Sequence, residues 1–105
     1  FSEWIEVSKA KKSDSILIFS VGGGNAEKNV SINLVNLIKK AKEIGMRIYG
    51  IVGKVDGFTA KEADILIHIP CTSLERVTPH SESFQAVVWH CLVSHPDLQL
   101  RSTKW

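Results

Sequence analysis

Cysteine, proline and long apolar runs are all scarce in this chain, and each shortage excludes a class of protein. Its two cysteines, Cys71 and Cys91, are spaced to fit no metal motif and make no disulfide framework. Nothing near the N-terminus has the make-up of a signal peptide, so a reducing cytoplasm is the expected location. No apolar stretch approaches the roughly 20 residues that span a bilayer. Charge of one sign is also in short supply: a net charge of +2 does not make a nucleic-acid track. Lys9, Lys11, Lys12, Lys28, Lys39, Lys40 and Lys42 therefore read as solvated faces. With 44% hydrophobic and 23% charged residues among 105, the composition is that of one ordinary globular domain. The first residue is Phe1 rather than methionine, and the chain is read as a piece of something longer.

Three short apolar runs are present: "ILIFSV" (Ile16 to Val21), "RIYGIV" (Arg47 to Val52) and "ILIHIP" (Ile65 to Pro70). Near-continuous Ile, Leu and Val predicts strands buried on both faces, the habit of parallel sheets under helices. Between the first two, Val30, Leu34, Leu37, Ile38, Ala41 and Ile44 recur at helical spacing and Gly45 supplies a stop. Thr59 is placed to cap a short turn over "AKEAD". Thr78 as N-cap, with Pro79 behind it, opens a helix to about Ser94, whose apolar stripe is Phe84, Val87, Val88, Cys91 and Leu92. "SEWIEVSKA" predicts a brief amphipathic helix capped by Ser2. The fold class is therefore α/β with a parallel sheet and right-handed crossovers. Three strands leave two apolar edges, and the expectation is that further strands, from another segment or a partner chain, complete the sheet.

The loop "SVGGGN" leaves the first strand where α/β folds bind ligands. Glycines remove the Cβ atoms that hold an anion away, and backbone N–H groups near a helix N-terminus attract one. Ser20, Gly22, Gly23, Gly24 and Asn25 are the candidate phosphate-binding residues; Asn25 serves equally as a helix cap. The dinucleotide fingerprint G-x-G-x-x-G is met only by Gly22 and Gly24, its third position being Glu27, and no acidic residue closes the second strand. No Gly-Lys-Ser/Thr phosphate loop occurs.

The succession "DSILIFSVGGGN", "AKEIGMRIYGIVG", "AKEADILIHIP" and a helix ending in "WHCL" resembles the second half of the sugar isomerase (SIS) domain, most closely that of phosphoheptose isomerases. The resemblance runs from about Ser13 to Leu98. It implies a three-layer, Rossmann-like sheet of which residues 1–105 carry the last three strands, as a partial, C-terminal SIS domain. It also implies a homotetramer with ligand sites shared between subunits, and an aldose–ketose isomerase acting on sedoheptulose 7-phosphate or a similar sugar phosphate. The alternative is a non-catalytic sugar-phosphate-binding SIS module. Where the family's loop has several hydroxyls, this chain keeps Ser20 and has Val21 and Gly22 at the next two positions, which favours that alternative.

Isomerisation moves a proton between adjacent carbons and needs a base and an acid. Aligning "WHCL" puts His90 on the family's helix histidine, and Glu82 eight residues earlier where glutamine is usual; these positions imply proton transfer or, in some members, zinc. No cofactor is required by the residues themselves. Eight helical residues rise about 12 Å and turn about 80° out of line, so Glu82 and His90 of one chain do not share one metal ion. His80 stays open between surface and ligand, His68 reads as a core residue, and His95 as helix-end chemistry. Trp4, Trp89 and Trp105 read as packing or oligomer contacts.

Overall fold

A computed structural model describes residues 1–101; Trp105 lies outside them. The chain is α/β. Strands β1 (Ser15–Ser20), β2 (Arg47–Val52) and β3 (Ile65–His68) form a parallel sheet in the order β1-β2-β3. Helices α1 (Ser2–Val7), α2 (Ile32–Ile44), α3 (Phe58–Glu62) and α4 (Val77–Ser94) flank it, and a 3-10 turn at Leu74–Arg76 precedes α4. Ser15 pairs with Arg47 and Ser20 with Val52, and Tyr49 pairs with Ile65, so all three strands deliver their carboxyl ends to one rim of the sheet.

Alternation divides β1 between two faces. Ile16 and Ile18 point to the side of α1 and α2, where Ile5, Ile38, Ala41, Met46 and Ile48 close the core. Ile5, Ile38 and Ile48 are fully buried, and each such side chain contributes about 1.5–3 kcal/mol. Gly45 ends α2 in the left-handed region at φ +83°, and its N–H reaches Ala41 O and Lys42 O, as the sequence predicts for that glycine. Lys40 on α2 reaches Glu6 on α1 at 2.6 Å, and that hydrogen bond holds its ammonium above the ordinary lysine range. Lys42–Glu62 and Arg47–Asp64 add two further surface pairs, each a small stabiliser.

Several sequence expectations change here. Only β2 is buried along most of its length; β1 and β3 expose much of theirs because each has a neighbour on one side alone. Val30 precedes α2 and pairs with Asn25 in an isolated bridge rather than joining the helical stripe. Ser2 is the first residue of α1, with Phe1 at the cap position. His68 ends β3 exposed, not in the core. The largest change is in α4, where the residues buried are Ser81 and Gln85, while Phe84 and Val87 stay about half exposed. That helix meets the rim of a narrow sheet through its small and polar side, so its apolar side chains find no surface to cover.

Candidate functional site

From Ser20 the chain turns into residues 21–25 through a hydrogen bond in which Gly23 N–H donates to Ser20 Oγ, 2.9 Å. Gly23 and Gly24 then adopt φ of +73° and +79°, a conformation that side-chain-bearing residues rarely take. Their carbonyls are held from α3: Thr59 donates to Gly23 O through both its N–H and its Oγ1, each at 2.8 Å, and Phe58 N–H donates to Gly24 O at 2.7 Å. Thr59 is thus a rivet between two loops and not a helix cap; Gly57 occupies the cap position of α3.

This geometry revises the outward cradle expected from the glycines. The Gly23 amide bonds to Ser20, the Asn25 amide bonds to Val30 O, and Gly23 and Gly24 are buried. Asn25 caps no helix; its Oδ1 accepts from Lys28 N–H at 2.8 Å and closes the turn over residues 25–28. Gly22 remains exposed. With Gly24, Asn25, Lys28, Ser31, Lys54 and Asp56 it lines a cleft of about 240 Å³. Ser31 stands at the N-cap position of α2 with no side-chain cap hydrogen bond, and its place on the cleft wall brings the positive end of a 13-residue helix to that wall. Two lysines, one helix N-terminus and two glycines with no Cβ in the way suit a small anion, while Asp56 and the Asn25 amide suit hydroxyl groups beside it.

The proposed acid–base residues lie elsewhere. Glu82 lines a groove of about 490 Å³ with Leu17, Phe19, Gln85 and Trp89. His90 is exposed and stacks on Trp89 at 4.1 Å between ring centroids. Neither lines the glycine-loop cleft, and the structure brings together Gly22, Gly24 and Asn25 of the predicted set, with Ser20 and Gly23 supporting the loop from behind. His80 Nε2 lies 3.0 Å from Pro70 O, and His95 caps the end of α4. No group of three or more His, Cys, Asp or Glu side chains gathers among the described residues, so these residues alone offer no full zinc ligand set. No helix among the described residues is long and apolar enough to cross a membrane.

Sequence reasoning passed over Lys54 and Gln85 and gave Thr59 a different role. Lys54 had a usable signal, since loops that leave adjacent parallel strands meet at the same rim. Gln85 had none: its Nε2 donates to Ser20 O at 3.1 Å and Ile51 O at 2.8 Å, partners 65 and 34 residues away. One turn earlier, Ser81 is fully buried against Gly53, and its hydroxyl has no hydrogen-bond partner. Replacing Ser81 by alanine is expected to raise stability by about 1 kcal/mol, because an orphaned hydroxyl carries a desolvation cost of that order. Urea denaturation checks this, and a lowered midpoint would show that the hydroxyl has a partner after all.

No protein-family profile matches the chain. A curated relative, the lincomycin biosynthesis protein LmbN of Streptomyces lincolnensis, is 35% identical over 82 residues. The match takes in 77% of this chain and 30% of LmbN, so the chain spans less than a third of that relative's length.

Proposed function

We propose that this chain binds a phosphorylated sugar, with the phosphate in the cleft between the glycine loop and the loop after β2. The observation that carries the reading is the convergence of Lys28, Lys54, Ser31 and Gly22 on one cleft at the carboxyl rim of a parallel sheet. Ammonium groups and the helix terminus attract the dianion, and Asp56 and Asn25 offer acceptors and a donor to sugar hydroxyls. The resemblance to SIS domains and the biosynthetic role named for LmbN accord with a metabolite ligand.

Turnover is a separate matter. An isomerase needs its base within reach of the sugar carbons, and neither Glu82 nor His90 lines the cleft. This favours a binding module over an aldose–ketose isomerase completed within these 105 residues, and leaves sedoheptulose 7-phosphate isomerisation as the activity of a larger assembly.

Calorimetric titration with sedoheptulose 7-phosphate, sedoheptulose and inorganic phosphate tests the proposal. Phosphate-dependent binding is expected, with amide shifts at Gly22 and Gly24 in nitrogen-15 spectra. Changing Lys28 and Lys54 together to alanine should weaken it about tenfold, or roughly 1.4 kcal/mol. Equal affinity for the sugar with and without its phosphate would overturn the reading, and aldose formation by the isolated chain would restore the isomerase.

A further inference from the structure

The charges that line the glycine-loop cleft are not all of one sign: Lys28 and Lys54 are joined there by one carboxylate, Asp56. Asn25 and Asp56 also line an adjoining cleft of about 180 Å³, with Glu27, Phe58, Lys61 and Glu62. The two clefts therefore meet at Asn25 and Asp56, and across that boundary the balance of charge reverses. Two ammonium groups face one carboxylate in the first cleft. In the second, Glu62 is already paired with Lys42, which leaves Glu27 and Asp56 against Lys61. Among the described residues no ion pair engages Lys28, Lys54, Asp56, Glu27 or Lys61, whereas Lys40, Lys42 and Arg47 all have carboxylate partners. Helix α3 begins beside the same boundary with its first two N–H groups committed, Phe58 to Gly24 O and Thr59 to Gly23 O. Neither is free to receive a second anion.

We propose that Asp56 is a specificity-determining residue, which restricts the cleft to ligands with a single phosphate on an uncharged, hydroxyl-bearing body and rejects sugars with a second phosphate and nucleoside di- and triphosphates. The inference rests on the phosphate-binding reading above and adds to it the class of molecule that follows the phosphate. A sugar held by its phosphate at Lys28 and Lys54 reaches Asn25 and Asp56 with its hydroxyls. A carboxylate with no other partner accepts O–H hydrogen bonds, and its charge strengthens them. A second phosphate would bring a dianion to that same carboxylate and to Glu27, and like charges a few ångströms apart repel even in partly aqueous surroundings. Lys61 offsets one of those two carboxylates and not both. Selection of this kind comes from the repulsive element as much as from the attractive one.

Calorimetric titration at low salt with sedoheptulose 7-phosphate and with sedoheptulose 1,7-bisphosphate reads the selectivity directly. The monophosphate should bind about tenfold more tightly or better, and the gap should narrow in high salt as the charges are screened. Asp56→Asn keeps the shape and removes the charge. It should close most of the gap, tightening the bisphosphate and weakening the monophosphate together, a pattern that a merely structural role would not give. Glu27→Gln should narrow the gap by a smaller factor. Asp56 and Glu27 are both exposed, so each variant should melt within about 2 °C of the unsubstituted chain. Phosphate-dependent binding in which the bisphosphate equals or exceeds the monophosphate overturns the inference and leaves the binding reading standing. So does a gap that Asp56→Asn leaves unchanged. Absence of phosphate-dependent binding by either sugar overturns both.

Discussion

Gly57→Ala is expected to cost the chain about 4 kcal/mol or more, most of what holds a domain of this size together, whereas Gly22→Ala, in the opposing loop, should change stability by under about 0.5 kcal/mol. The reason is the approach of two backbones. A Cβ on Gly57 would collide with Gly22 O and lie 3.0 Å from Gly22 C and 3.1 Å from Gly23 Cα, and no side-chain rotation relieves backbone atoms. Gly57 itself is extended, at φ −74°, so the penalty is steric and not conformational. The loop that must give way is held by Thr59 and Phe58, so it cannot shift without losing three hydrogen bonds at the base of the cleft. By contrast, nothing lies within 4 Å of a Cβ on Gly22. Thermal unfolding followed by circular dichroism compares the two: a fall of more than about 15 °C for Gly57→Ala against about 2 °C or less for Gly22→Ala is the expected result at roughly 4–8 °C per kcal/mol. Similar melting temperatures for both would show that the loops stand further apart than described.

Gln85→Leu should have the next largest effect, about 2–3 kcal/mol. Leucine fills similar space, so the loss isolates the amide, which donates to the carbonyls of Ser20 and Ile51 where β1 and β2 end. Removing it leaves two acceptors at the rim without that donor, each costing about 1–3 kcal/mol where water is excluded. It also removes the side-chain hydrogen bonds from α4 to the sheet, because Ser81, the other buried residue of that helix, makes none through its hydroxyl. Chemical denaturation measures the change, and hydrogen exchange should show faster exchange in the first half of α4. A loss under about 0.5 kcal/mol would mean that the glutamine is a bystander.

Much of the fold was legible in the residues because its signals are local. The run "RIYGIV" bounds β2 as the structure has it, and Gly45 ends α2 through its own permitted φ. The α4 stripe misled because periodicity reports which side of a helix is apolar, not whether anything is there to cover it. Of that stripe Phe84, Val87 and Cys91 are exposed, and Val88 and Leu92 are only half-buried, beside a sheet three strands wide among the described residues. The glycine loop follows β1 as expected, but the Gly23 and Asn25 amides turn to partners within the chain instead of outward. Glycine permits a left-handed backbone, but where the amides then point depends on what reaches the loop from elsewhere, here Thr59 and Phe58 from a helix some 35 residues downstream.

By itself, then, the order of residues determined that this chain alternates strands with helices, that its sheet is parallel, and that a glycine-rich turn follows β1 at the carboxyl rim of the sheet. Those properties follow from short-range sterics and from burying apolar side chains at the repeat of each element. Only the tertiary structure decided that Lys54 and Lys28 share a cleft with Gly22, that Glu82 and His90 stand apart from it, and that Leu17 and Phe19 lie on the outermost strand of the sheet among the described residues. Such relations join residues tens of positions apart, and they arise from packing whole elements against one another, which no local pattern encodes.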